Sequence, residues 1–182
     1  MVAIDVASPF LTPVRLAFFV ALFLAMPILL YQAWRFVAPG LYDTEKRLAL
    51  PFAIAGSFFF LMGASFCYEL VFPVGFRFFL EEYASIDVAP QIRISEYLSF
   101  ASRMLLAFGL TFELPVVTFF LARLGVVTHR TLIAWSRYAI LVIFVVAAVL
   151  TPGPDVASQL LMAGPLLVLY VLSVGVAYIV AR

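Results

Sequence analysis

Cysteine and histidine are almost missing from this sequence. Its 182 residues include one of each, Cys67 and His129. A lone cysteine excludes an intrachain disulfide, and Cys67 sits in an apolar run as a small hydrophobe. A metal centre needs several His, Cys or carboxylate groups at ligand spacing; the sequence offers none, so neither metal nor cofactor is expected. Hydrolysis inside a membrane needs a nucleophile with a base, or a metal set. His129 lies in a basic loop beside Arg130, far from any acid within an apolar run, so no enzyme is expected. Charge is scarce too, at 12% of residues with a net of +1. Without a basic stripe, nucleic acid is excluded as a partner. No basic segment precedes an apolar core and a small-residue cleavage site, which argues against a removable signal peptide.

Apolar residues fill the space left. They make up 66% of the chain, with a mean hydropathy of +1.16. A soluble domain is about half apolar, and this chain has more apolar area than a globule of its size could bury. Lipid must therefore be its solvent. The runs are apolar throughout rather than alternating, which fits helices and not a barrel. The reading is all-α: a polytopic helical membrane protein, one integral membrane domain over 1–182. Its five spans fall at approximately 14–37, 48–68, 97–124, 132–150 and 156–181.

Punctuation along the chain supports this division. Ser8-Pro9 reads as a helix breaker, and Pro27 as a kink within the first span. Gln32 reads as a hydrogen-bonding group for another helix. Pro39-Gly40 is a turn, and Asp43 or Thr44 can cap the second span, with Glu45 in its first turn. In that span Phe58-Phe59-Phe60 suggests a bulky lipid-facing part, and Gly63-Ala64-Ser65 a small-residue packing face. The stretch 69–93 carries six charges and three helix breakers. It reads as an extramembrane loop, with Phe76, Phe78, Phe79 and Leu80 in a short interfacial helix. Ser95 and Thr128 are placed to cap the third and fourth spans, and Asp155 the fifth. The fourth span is cleanly apolar only over 139–150, about 18 Å. Arg137 must snorkel, and local bilayer thinning is expected.

Within the third span lies Phe108-Gly109-Leu110-Thr111-Phe112-Glu113-Leu114-Pro115-Val116. Arg103 and Arg123 bound it, roughly 30 Å apart on a helix, about one hydrocarbon core. Glu113 is midway, where a carboxylate costs on the order of 3 kcal/mol. Such a group is normally neutral, or turned towards a polar partner or water. Pro115 has no N–H, so the Thr111 carbonyl loses its helical donor. The pair reads either as a docking or coupling site, or as a Glu hydrogen-bonded between helices for packing alone. Orientation follows from charge. The loops 35–47 and 123–137, with Arg182, carry seven of the eleven Lys and Arg, which places that side in the cytoplasm. The N-terminus and the 69–93 stretch then lie outside.

Several motifs now combine. Asp5-Val6-Ala7-Ser8-Pro9-Phe10, the run 27–42 ending Trp34-Arg35-Phe36-Val37-Ala38-Pro39-Gly40-Leu41-Tyr42, and Glu45-Lys46-Arg47 occur in order. They are followed by the Glu113 segment and by Thr151-Pro152-Gly153-Pro154-Asp155-Val156-Ala157-Ser158-Gln159. Together they resemble the TatC family, the receptor subunit of the twin-arginine protein translocase. The resemblance implies a receptor and scaffold in the cell inner (plasma) membrane for export of folded proteins. It implies that Glu45, with Lys46 and Arg47, binds the twin-arginine signal peptide; arginine forks grip carboxylates bidentately. It implies an intramembrane role for Glu113 and Pro115, and docking of the single-span partners TatA and TatB at Thr151, Asp155 and Gln159. Gln159 and Thr151 could equally satisfy their own bent backbone. A homo-oligomer is also implied.

Two departures from the family pattern matter. The family has a further span at its front, and Met1 here falls where the first external loop would be; a truncation, a misassigned start and a shortened paralogue all remain open. The family's second acidic contact to the signal lies in that front segment, so this chain alone is expected to bind the signal weakly or not at all. The family also has a Glu after the aromatic residue in its last span, where Tyr170 here precedes Val171. The alternative reading is a proton-coupled transporter of a small solute using Glu113. It would need internal repeats and several ionisable groups along one path, and the sequence shows one carboxylate and no inverted repeat.

Overall fold

The computed structural model describes residues 8–37, 49–85, 93–151 and 156–180, and its regular structure there is all helical. Helix α1 (Ser8–Val37) begins at the dipeptide that reads as a breaker. A proline in a first turn forfeits an N–H that has no helical partner anyway, so Ser8-Pro9 opens the helix. Helix α2 (Ala49–Phe66) runs through a π-helical turn (Cys67–Val71) into α3 (Phe72–Ser85). The remaining elements are α4 (Ile94–Arg123), α5 (His129–Leu150) and α6 (Val156–Val180). Five helical stretches are long and apolar enough to cross a bilayer: Phe10–Ala33, Leu50–Glu81, Ile94–Arg123, His129–Leu150 and Val156–Val180. The chain is a multi-pass membrane protein.

The second of these stretches differs from the sequence expectation. Where the charges and prolines after residue 68 suggest a loop, the helix continues to Ser85. In the π turn the Phe72 N–H bonds the Cys67 carbonyl five residues back. This wider turn adjusts the backbone ladder just before Pro73, which cannot donate. Glu69, Arg77 and Glu81 are accommodated because each lies on the exposed face.

Helix ends follow local chemistry. Thr128 caps α5 as expected, its hydroxyl accepting the Thr131 N–H at 3.3 Å. Gly125, at φ 71°, turns the chain between α4 and α5. Ser95 is not the cap of α4. Arg93 holds that position without a side-chain cap, and its guanidinium meets Glu96 at 3.4 Å.

Helix α4 is the axis of the molecule. Half of its apolar window is buried, against 6% for α1 and 11% for α5. It packs on α2 and α6, and more lightly on α1. Met104, Phe108 and Phe112 of α4 meet Cys67 and Phe72, Ala147 of α5, and Met162 and Leu166 of α6 in the main core. Phe52, Val116 and Phe120 form a second cluster. Close approach of α2 to α4 depends on glycine: a Cβ at Gly63 would lie 2.7 Å from the Phe108 carbonyl oxygen. The phenylalanine triplet does not share one environment. Phe58 faces outward at 64% exposure and Phe60 is fully buried, because adjacent residues on a helix point about 100° apart. Gln32 is exposed and takes no hydrogen-bond partner among the described residues.

Candidate functional site

Glu113 lies on the face of α4 that meets α2, and only 6% of it is exposed. Gly56 of α2 makes room for it: a Cβ there would come 2.8 Å from Glu113 Oε2 and 3.3 Å from Oε1. Both carboxylate oxygens are buried without a hydrogen-bond partner among the described residues. Of the two sequence readings, a Glu bonded between helices for packing is therefore not what the fold displays. Two residues on, Pro115 is half-buried and α4 passes through it unbroken. The Thr111 hydroxyl donates to the Ala107 carbonyl at 2.7 Å, so it bonds the backbone of its own preceding turn. It does not reach Glu113.

The other polar candidates lie on a different interface. The Thr151 hydroxyl and its N–H both donate to the Ala147 carbonyl, at 2.7 and 2.9 Å. They close the end of α5, where a helix leaves carbonyls unpaired. Gln159 of α6 donates from Nε2 to the Phe144 carbonyl of α5 at 2.9 Å. Eleven residues on, the Tyr170 hydroxyl donates to the Leu132 carbonyl at 2.7 Å. Helices α5 and α6 are thus tied at two points by side chains bonded to main chain. The structure brings Gln159 and Thr151 near one end of that pair, while Glu113 stands on the α2–α4 contact. Glu45, Lys46, Arg47 and Asp155 lie outside the described residues.

A family model described as the Sec-independent protein translocase protein (TatC) matches residues 1–165. The chain belongs to the TatC family. It is 48% identical over 167 residues to the Sec-independent protein translocase protein TatC of Helicobacter pylori strain J99, covering 92% of this chain and 66% of that one. It is 46% identical over 171 residues to the protein of that name from Campylobacter jejuni, covering 94% and 69%. The chain spans about two thirds of the length of these two relatives. A crystal structure of the twin arginine translocase receptor TatC superposes with a TM-score of 0.89 at 33% identity, covering 100% of this chain and 79% of that one.

Within this TatC-family fold, two features of the site have little sequence signal. Gly56 is one glycine in an apolar helix, and only the register of α2 on α4 places it opposite Glu113. Tyr170 stands out in the sequence because a valine follows it. The structure shows its hydroxyl tying α6 to α5, while Val171 points outward.

Proposed function

We propose that this chain is the receptor and scaffold subunit of a twin-arginine translocase in the cell inner membrane. In this reading it binds paired-arginine signal peptides and docks the single-span TatA and TatB subunits within a homo-oligomeric complex. Folded proteins are its cargo. The observation that carries the reading is Glu113, a carboxylate at the centre of the bundle axis whose oxygens receive nothing from the described fold. Leaving a buried polar group unpaired costs about 1–3 kcal/mol, so its retention favours use by a partner's polar side chain. Glu45, flanked by Lys46 and Arg47, supplies a carboxylate suited to an arginine fork. Gln159 spends one N–H on Phe144, and an amide has a further N–H and an oxygen to offer. With Thr151 and Asp155 it forms the docking end for a partner helix.

The test is export of a folded reporter carrying a twin-arginine signal, in cells that depend on this chain. Glu113→Gln keeps the side-chain shape and removes the acid. Export falls about tenfold, the equivalent of about 1.4 kcal/mol of lost interaction, at unchanged protein level in the membrane. Full export by that variant at the same level would overturn the reading.

A further inference from the structure

A groove of about 440 Å³ lies where the start of α2 and the ends of α4 and α6 meet. Phe52, Ala55 and Phe59 of α2, Pro115 and Phe119 of α4, and Val176 of α6 wall it. The wall is almost wholly hydrocarbon, a surface that holds water poorly and an alkyl chain well. Among the described residues, the one cationic side chain lining it is Arg123, in the last turn of α4. Arg123 is exposed, and no carboxylate among the described residues lies within 4 Å of its guanidinium. The helix terminus favours a cation at that position without occupying the guanidinium's donor fork.

Depth and size narrow the occupant. From Glu113 to Arg123 is about 15 Å along α4, half of a hydrocarbon core. With Glu113 near the midplane, Arg123 stands at the level of lipid phosphates and the groove runs down beside the acyl chains. A peptide helix does not fit: it is about 10–12 Å across with its side chains, and two turns need roughly twice this volume. We propose that the groove holds an acyl chain of one anionic glycerophospholipid whose phosphate pairs with Arg123. The lipid then fills a gap between α2, α4 and α6 that the protein leaves open, on the flank of the helix pair carrying Glu113.

Native mass spectrometry tests this on the full chain released from bilayers of equal phosphatidylglycerol and phosphatidylcholine. The expected result is one retained phosphatidylglycerol per chain, favoured about fivefold, the preference one basic side chain confers at a membrane surface. Arg123→Gln removes the preference. Arg130→Gln, the same charge change in an exposed position away from the groove, leaves it intact. Ala55→Phe fills the groove and expels either lipid, and Val176→Phe does so from the α6 wall if the first variant fails to fold. Equal loss of preference in the two arginine variants would overturn the proposal. So would undiminished lipid in a folded groove-filling variant, or a polypeptide as the retained species.

Discussion

Glu113 and Gly63 face the same helix pair and place opposite demands on it. The acid costs stability because its oxygens are buried and unpaired among the described residues. An apolar side chain of similar volume removes that cost, so Glu113→Leu should raise the unfolding midpoint in detergent by the equivalent of about 1–3 kcal/mol. The same variant should lose export, the trade expected where function keeps an unfavourable group. Gly63 works the other way. A Cβ there meets the main-chain oxygen of Phe108, which cannot give, whereas a Cβ at Gly109 meets the ring of Phe60. Gly63→Ala should therefore destabilise by about 1–3 kcal/mol, and by more than Gly109→Ala, when both are followed by thermal unfolding in detergent. Glu113 itself was legible in the sequence because two arginines frame it. Its glycine neighbour was not, since that contact depends on how α2 slides against α4.

At the scale of elements, α5 relies on α6. Only 11% of its apolar window is buried, and two hydrogen bonds from α6 reach its main chain. Interhelical hydrogen bonds in membranes average about 0.6 kcal/mol and reach about 1.7. Gln159→Leu and Tyr170→Phe should each cost that much. The two positions lie about 16 Å apart along α6, so the double variant should show the sum. A double-variant cost well above the sum, in a denaturant titration of the reconstituted protein, would mean the two bonds break together. Element identity was readable wherever apolar runs had clear ends, as at Thr128. It failed after residue 68 because Pro73 and the charges of 69–82 carry the signals of a loop. The π turn that lets the helix absorb that proline has no composition of its own, and the exposed face that takes the charges is set by tertiary packing. A partner for Gln32 was expected on polarity alone, yet the residue faces outward; which side of a helix faces its neighbours is likewise decided by packing.

For the whole molecule, the helices alternate in direction around α4, so the ends of α4 and α6 and the start of α2 share one end of the bundle, and α3 emerges at the other. The continuous stretch Leu50–Glu81 has 32 residues, about 48 Å of helix. That exceeds a hydrocarbon core of about 30 Å, so α3 must tilt or stand clear of the bilayer in its last turns. The excess of Lys and Arg in the sequence stretches 35–47 and 123–137 predicts that the opposite end faces the cytoplasm. The lone thiol makes this directly testable. Cys67 is fully buried, so the unaltered chain should be silent to a membrane-impermeant maleimide and serve as its own blank. Tyr83, near the end of α3, and Val126, between α4 and α5, are both exposed. Tyr83→Cys should label in intact cells. Val126→Cys should label only after the membrane is opened. The inverse pattern would turn the bundle over, setting the Arg123 groove against the outer leaflet and the π turn towards the cytoplasm. The charge bias opposes that arrangement, since the stretch 69–93 at the α3 end carries two arginines against four acids.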